Sequence, residues 1–344
     1  MEWELKLQKY SELAGALRSG VTQLTQPLTI SHYENWLDSN HHADMEYLKN
    51  HLDFKKNPLT WQPLMRSAFV FAFQYHPHPE GPSPLPGSRL AMYASGQDYH
   101  FWMKDRLQKV IDDLKIEFPE AEFQAHTDSS PVLERDLAAR AGLGWFGKNT
   151  CLIHPQNGSL FLIGEILTSL DIQFVTKPVH DFCGTCTKCM DSCPTAALTE
   201  SRQLVADKCI SYWTIESRKI PPENIRNKMG DWLFGCDICQ TVCPWNQKAF
   251  KRTLEIKNIL DLNTEETKNL EEELRWILSS SNNQIQKKLM GSPLLRTGGK
   301  GLKRNTLIVC ANRKITALLP EVQKLADDEF LGELAKWCEK QLKT

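Results

Sequence analysis

The chain has 344 residues and an apolar fraction of 41%, which suits a folded protein of two or three units and excludes a disordered one. Lys plus Arg (41) nearly cancel Asp plus Glu (42), which excludes a uniformly basic nucleic-acid coat and leaves any such partner to a local patch. No stretch approaches ~18 uninterrupted apolar residues, and the first twenty residues lack a signal-peptide pattern, so the expectation is a cytoplasmic, monomeric chain with no membrane partner.

In chain order, residues 2 to 17 and 31 to 50 are predicted helices. SAFVFAFQY (67 to 75) is a buried strand and HPHPEGPSPLPG (76 to 87) a loop. A helix is predicted from Asp98 to Phe118, and another near Pro131 in PVLERDLAARAGLG, with Pro at its first turn and Gly at its end. TCLIHPQNGSLFLIGEILTS reads as a hairpin turning at Asn157-Gly158. Strands and helices mixed without a regular β-α repeat indicate an α+β layer domain over residues 1 to 172.

Three stretches of that domain carry more polar or glycine detail than packing needs. RLAMYASGQDYH (89 to 100) places a glycine turn before a helix, with His100 a surface residue at the helix start. The stretch from His126 to Arg135 places Asp128 just before a helix, as either an N-cap or an acid at the floor of a cleft, with His126 near enough to support it. AGLGWFGKNTCLI (141 to 153) sets three glycines around Trp145, which allows close backbone approach to a flat ligand. No dinucleotide or Walker motif is present.

The chain has 11 cysteines, and disulfides are not expected in a reducing compartment. CGTCTKCMDSCP has the spacing C-x2-C-x2-C-x3-C-P, the run that wraps a cubane 4Fe-4S cluster in bacterial-type ferredoxins. CDICQTVCP repeats it with one cysteine missing, and isolated Cys209 can replace that one. Crossed ligation then assigns Cys183, Cys186, Cys189 and Cys243 to one cluster, and Cys193, Cys209, Cys236 and Cys239 to the other. Zinc, which prefers two C-x2-C knuckles across a longer loop, fits this spacing poorly. Residues 173 to 250 form this ferredoxin-like unit, and Cys151, Cys310 and Cys338 read as core thiols.

Taken in order, YASGQDYH, the D-x-x-P-x-LER run that starts at Asp128, AGLGWFGKN, the two cysteine runs, CISY and CPWN resemble the epoxyqueuosine reductases, cobalamin-dependent relatives of reductive dehalogenases. The resemblance covers roughly residues 40 to 250. It implies reduction of epoxyqueuosine to queuosine at the wobble position of a tRNA, the last step of queuosine biosynthesis. The cofactors would be cobalamin and two 4Fe-4S clusters, fed by an external flavodoxin- or ferredoxin-type donor. It implies Asp128 as the proton donor, its pKa raised by burial. It also implies cobalamin contacts at Ala91, Leu152, Ile163, Ile210, Ser211, Asp237 and Ile238, and at Lys55, where the family often has the planar fork of arginine. A ferredoxin-like electron carrier without corrinoid is the alternative from another class, and dehalogenation of a small molecule a third.

Residues 251 to 344 are expected to be helical. An acidic stretch (255 to 273) precedes a segment from Leu274 to Pro320 with nine basic residues and no acid. That segregation suits one face lying along phosphates, with Arg296, Lys300, Lys303 and Arg304 as tRNA contacts. A single αα unit is visible in it. Trp145, Phe146, Tyr212 and Trp213 are candidates to stack on an unpaired base.

Overall fold

A computed structural model describes residues 2–75, 80–128, 130–174, 179–253 and 264–344. Helix α1 (Glu2–Ala14) buries Leu7, Tyr10 and Ala14 along one face. It stops short of residue 17 because Gly15 takes the φ of +60° that closes a helix. The freed chain forms β1 (Arg18–Gln23), a strand that the sequence pattern does not predict. Helix α2 (Ile30–Asp38) also ends early. Asn40 and Ala43 sit at φ +55°, so the chain turns there instead of running on as a helix to residue 50.

Strand β2 (Ser67–Gln74) is followed by the predicted loop, of which residues 76–79 lie outside the described ones. Helix α3 (Tyr99–Glu117) starts at the N-cap Asp98, whose Oδ1 accepts the His100 N–H at 3.0 Å. Strand β3 (Phe123–His126), helix α4 (Glu134–Arg140) and strand β4 (Phe161–Thr168) complete the layer. The sheet is antiparallel, in the order β1-β2-β4-β3.

Both faces of β2 are covered, which explains its unbroken apolar run. Phe69, Phe71 and Phe73 point to Tyr10 of α1 and to Met103, Leu107 and Val110 of α3. Ala68, Val70 and Ala72 point to Leu137 and Ala138 of α4. Each buried phenylalanine contributes about 1.5–3 kcal/mol. On β4, Gly164 leaves room for α3, since a Cβ there would stand 3.0 Å from Met103 Cε.

The expected hairpin is not formed. Leu152–Ile153 pairs with Trp145–Phe146, whereas β4 pairs with β2 and β3. A bridge joins His154 and Gly158 across the turn, and this turn is pinned from outside. Asn246 accepts the Ser159 N–H at 2.6 Å, and a Cβ on Gly158 would lie 2.0 Å from Asn246 Oδ1.

Beyond the thiol region come α5 (Ile210–Ile215) and β5 (Trp232–Phe234), which pairs in parallel with Arg89–Leu90. The C-terminal part contains α6 (Thr264–Ser279), α7 (Asn282–Lys288), α8 (Gly298–Arg313) and α9 (Gly332–Lys343), more than the single αα unit expected. Helix α8 lies at the centre of one apolar core that joins residues 206–234 to 270–342 and takes in Leu85 and Ala94. That core is continuous across the expected division at residue 250. Of the acidic stretch, residues 255–263 lie outside the described ones. Glu273 clamps the tail to the first domain, accepting the Gly87 N–H at 2.8 Å and the Ser88 hydroxyl at 2.7 Å. No described helix is long and apolar enough to cross a membrane.

Candidate active site and cluster thiols

Asp128 follows the last pair of β3 and takes a φ of +37°, uncommon for a side chain other than glycine. The start of α3 faces it. His100 Nε2 is 2.7 Å from Asp128 Oδ1, and the Tyr99 hydroxyl donates to Oδ2. The other ring nitrogen, Nδ1, is 2.7 Å from Asp98 Oδ1. Held between two carboxylates, Asp128 first and Asp98 next, the His100 imidazole is pushed up to about 9. It is therefore a cation at neutral pH, donating from both nitrogens.

Asp128 is not an N-cap, because α4 begins at Glu134 with no side-chain cap bond. Nor is it buried as expected: its side chain is 42% exposed, since its loop stands beyond the edge of the sheet. His126 does not support it. The His126 ring turns away, Nδ1 2.6 Å from Ser130 Oγ and its plane tilted against Trp61, and burial lowers it to about 4.

Behind the corner lie two carboxyls that no motif marks. Glu134 opens α4 within electrostatic reach of Asp128, and its Oε1 is shut from solvent without a partner among the described residues. Glu165, opposite His126 in the middle of β4, is 0% exposed, and neither of its oxygens has a described partner. Burial, and after it the Asp128 charge, pushes Glu134 up to about 8; burial raises Glu165 further. The signal for Glu165 was a lone acid inside FLIGEILT, an otherwise apolar strand.

The eight thiols fall into two neighbourhoods. Cys189 feels Cys243 and Cys183, and Cys243 feels Cys183 and Cys186. Cys209 feels Cys193, Cys236 feels Cys209 and Cys193, and Cys239 feels Cys236 and Cys209. Burial pushes Cys236 up to about 12 and raises Cys239 well above its ordinary range, so thiolates here need a cationic partner such as cluster iron. Among the described residues no three such groups close on a single ion, and a cubane sets its thiolates wider than one ion does. The Trp145 indole N–H points at Cys183 Sγ (3.4 Å) and the Ala197 N–H at Cys193 Sγ (3.3 Å). Cys151, expected as a core thiol, lies electrostatically against Cys189, Cys239 and Cys243 from both sets. Cys310 and Cys338 are buried, in α8 and α9.

The expected cobalamin contacts fall into two groups that pack in different cores. In one, the Ala91 N–H donates to the Phe234 carbonyl at 2.7 Å, and Asp237 Oδ2 accepts the Met92 N–H at 2.6 Å. Gly235 permits that approach, since a Cβ there would be 2.4 Å from Ala91 Cβ. Ile210 is buried in the same core, Ile238 packs on it, and Ser211 follows at the start of α5. In the other, Leu152 and Ile163 pack in the core under α4. Ile163, Ser211 and Ile238 keep part of their surface open, which fits a flat ring with polar arms. Lys55 is buried, with Nζ 3.1 Å from the Tyr33 hydroxyl and 3.5 Å from the Leu48 carbonyl.

The basic tail is corrected in part. Arg304 is 0% exposed and donates to the carbonyls of Trp213, Ser217 and Lys219 and to Asn305 Oδ1, so it braces the core and reaches no phosphate. It opens the stretch of α8, Arg304 to Ala311, that is buried on every side, which a count of charges cannot see. Arg296 grips Glu216 with two bonds of 3.0 and 3.1 Å. Lys300 is exposed in the first turn of α8, and Lys303 is half-buried. Among the stacking candidates Trp145, Tyr212 and Trp213 are buried, and Phe146 is half-buried.

Residues 182–246 match a 4Fe-4S double cluster binding domain, and residues 56–129 match the family described as Epoxyqueuosine reductase QueG, DUF1730. An epoxyqueuosine reductase of Leadbetterella byssophila is 38% identical over 80% of this chain and 87% of its own. That of Francisella cf. novicida is 34% identical over 98% of both chains. A solved epoxyqueuosine reductase with an epoxyqueuosine-modified tRNA stem loop is similar at a TM-score of 0.83 and 26% identity, over 100% of this chain and 91% of that one. Another, from Bacillus subtilis, has its aspartate catalytic loop swung out of the active site, with a TM-score of 0.80 and 26% identity over 99% and 90%. The chain belongs to the epoxyqueuosine reductase family.

Proposed function

We infer that this chain reduces epoxyqueuosine to queuosine in a tRNA anticodon loop, and that the chemistry takes place at the Asp128 corner. The observation that carries this reading is the contact of Asp128 with the His100 imidazolium and the Tyr99 hydroxyl. Removing an epoxide oxygen requires a proton on that oxygen as it leaves, and the pair holds one. Asp128 delivers it, and His100 supplies it from behind. Tyr99 fixes the carboxylate from the other side. The exposure of Asp128 suits a loop that moves over its substrate, as the loop of the Bacillus subtilis relative has moved away from its own site.

Ala91, Leu152, Ile163, Ile210, Ser211, Asp237 and Ile238 would hold the corrin. Lys55 contributes through Tyr33 and Leu48 rather than by a free charge. Cobalamin, when bound, supplies a strongly reducing cobalt. Cys183, Cys186, Cys189 and Cys243 would hold one 4Fe-4S cluster, and Cys193, Cys209, Cys236 and Cys239 the other. The thiol neighbourhoods support that crossed assignment. Such clusters carry single electrons from an external flavodoxin- or ferredoxin-type donor. The modified base, unpaired in the loop, can be splayed into the site. Lys300 on α8 is the best placed of the expected phosphate contacts, being exposed.

The test is an anaerobic titration of the cluster-loaded chain with cobalamin, read by electron paramagnetic resonance. Stoichiometric binding with an altered cobalt signal is expected. No binding would leave an electron carrier without corrinoid chemistry.

A further inference from the structure

Taking an epoxide to an alkene breaks two C–O bonds, forms one C=C bond, consumes two electrons and two protons, and releases one water. The electrons come from the external donor. The His100–Asp128 pair holds one proton between its partners, and that proton is spent in the first transfer. The second is due at the same oxygen, while the base fills the open side of the corner.

On the closed side lies the carboxyl pair. Glu134 stands at the start of α4 within electrostatic reach of the Asp128 carboxylate, and Glu165 lies behind it on β4, fully buried. Three carboxyl oxygens, Glu134 Oε1 and both of Glu165, are closed off with no donor among the described residues facing them. A bare carboxylate in that position costs far more than a protonated one. The two acids and Asp128 lie within electrostatic reach of one another.

We propose that Glu134, backed by Glu165, is an internal proton reserve that returns a proton to Asp128 between the two proton-consuming steps of one turnover. This rests on the function inferred above. In the transfer, the Glu134 O–H bond breaks and an Asp128 O–H bond forms, with no change of oxidation state. Before turnover the reserve is full, because burial and the Asp128 charge keep Glu134 protonated at neutral pH. The groups facing Glu134 are Asp128, Arg135, His100, Tyr99 and Lys55, together with Glu165. Those facing Glu165 are Glu134, Asp128 and, across the strand pair, His126, which burial keeps neutral. The cations Lys55, Arg135 and His100 oppose the rise at Glu134, and burial outweighs them.

The experiment uses the cluster- and cobalamin-loaded chain and an anticodon stem loop carrying epoxyqueuosine. Glu134→Gln keeps the shape of the side chain and removes only the acidic proton. The expected result is a rate lowered by ~10-fold or more, set against the 10²–10⁴ usual for a general acid, with KM unchanged. The wild-type rate should fall above about pH 8, and in Glu134→Gln that fall should move up to the range where His100 loses its proton, about 9. Glu134→Asp should recover part of the rate. Infrared spectra of the wild-type chain alone should show the carbonyl stretch of buried protonated carboxyls at pH 7, diminished in Glu165→Gln. Unchanged rate and pH profile in Glu134→Gln, or no protonated carboxyl in the wild-type spectrum, would overturn the proposal. The spectrum decides even if a variant fails to fold. A wild-type chain that removes no oxygen would instead defeat the function it rests on.

Discussion

His100 Nε2 lies 2.7 Å from Asp128 Oδ1, joining the first turn of α3 to the loop after β3 across 28 residues of chain. The contact turns a solvent-facing histidine into a stored proton. Its pH range follows from the direction of the shift. His100 is raised above 6.5 to about 9, so its pairing is fully present below 6.5 and is lost as pH rises through about 9. Nuclear magnetic resonance titration should find it there, and Asp128→Asn should bring it down toward the ordinary range.

Asp128→Asn should fold, keep both clusters and bind cobalamin, yet lose turnover by ~100-fold or more, the scale of a lost general acid. Single-turnover conversion of the modified stem loop measures this. An undiminished rate would remove Asp128 from the chemistry.

The crossed thiol sets make a specific pairing of variants. Cys243→Ala should abolish the same paramagnetic signal as Cys183→Ala, although 60 residues separate them. Cys193→Ala should abolish the other, together with Cys209→Ala. Iron content should fall by half in each. Loss grouped by sequence proximity instead would contradict the assignment.

These sites were unequally legible. Cluster thiols are spaced by local chain geometry, so CGTCTKCMDSCP announces its chemistry on sight. Asp128 stood out through its motif, but its partners did not. Tyr99 and His100 meet it only because β3 folds back beside α3, a contact that no periodicity records. β1 was missed because RSGVTQ gains its burial from β2 and from α4 rather than from its own pattern. Counting charge misplaces Arg304, because a tally of lysines and arginines does not ask which turns of α8 the core encloses.

Arg304 and Lys300 should therefore separate. Arg304→Ala leaves the carbonyls of Trp213, Ser217 and Lys219 without their donor and should destabilise the fold by about 1–3 kcal/mol for each acceptor that stays unpaired. Thermal unfolding measures it. Lys300→Ala should leave stability unchanged and lower stem-loop affinity, reducing the salt slope by about one ion.

Whether this chain performs the reduction is decided by nucleoside mass analysis of an epoxyqueuosine-carrying anticodon stem loop after anaerobic incubation with the cluster-loaded chain and a reductant, with cobalamin present or absent. Loss of one oxygen from the modified base is expected only when cobalamin is present. Unchanged epoxyqueuosine with both clusters and cobalamin bound would contradict the assignment.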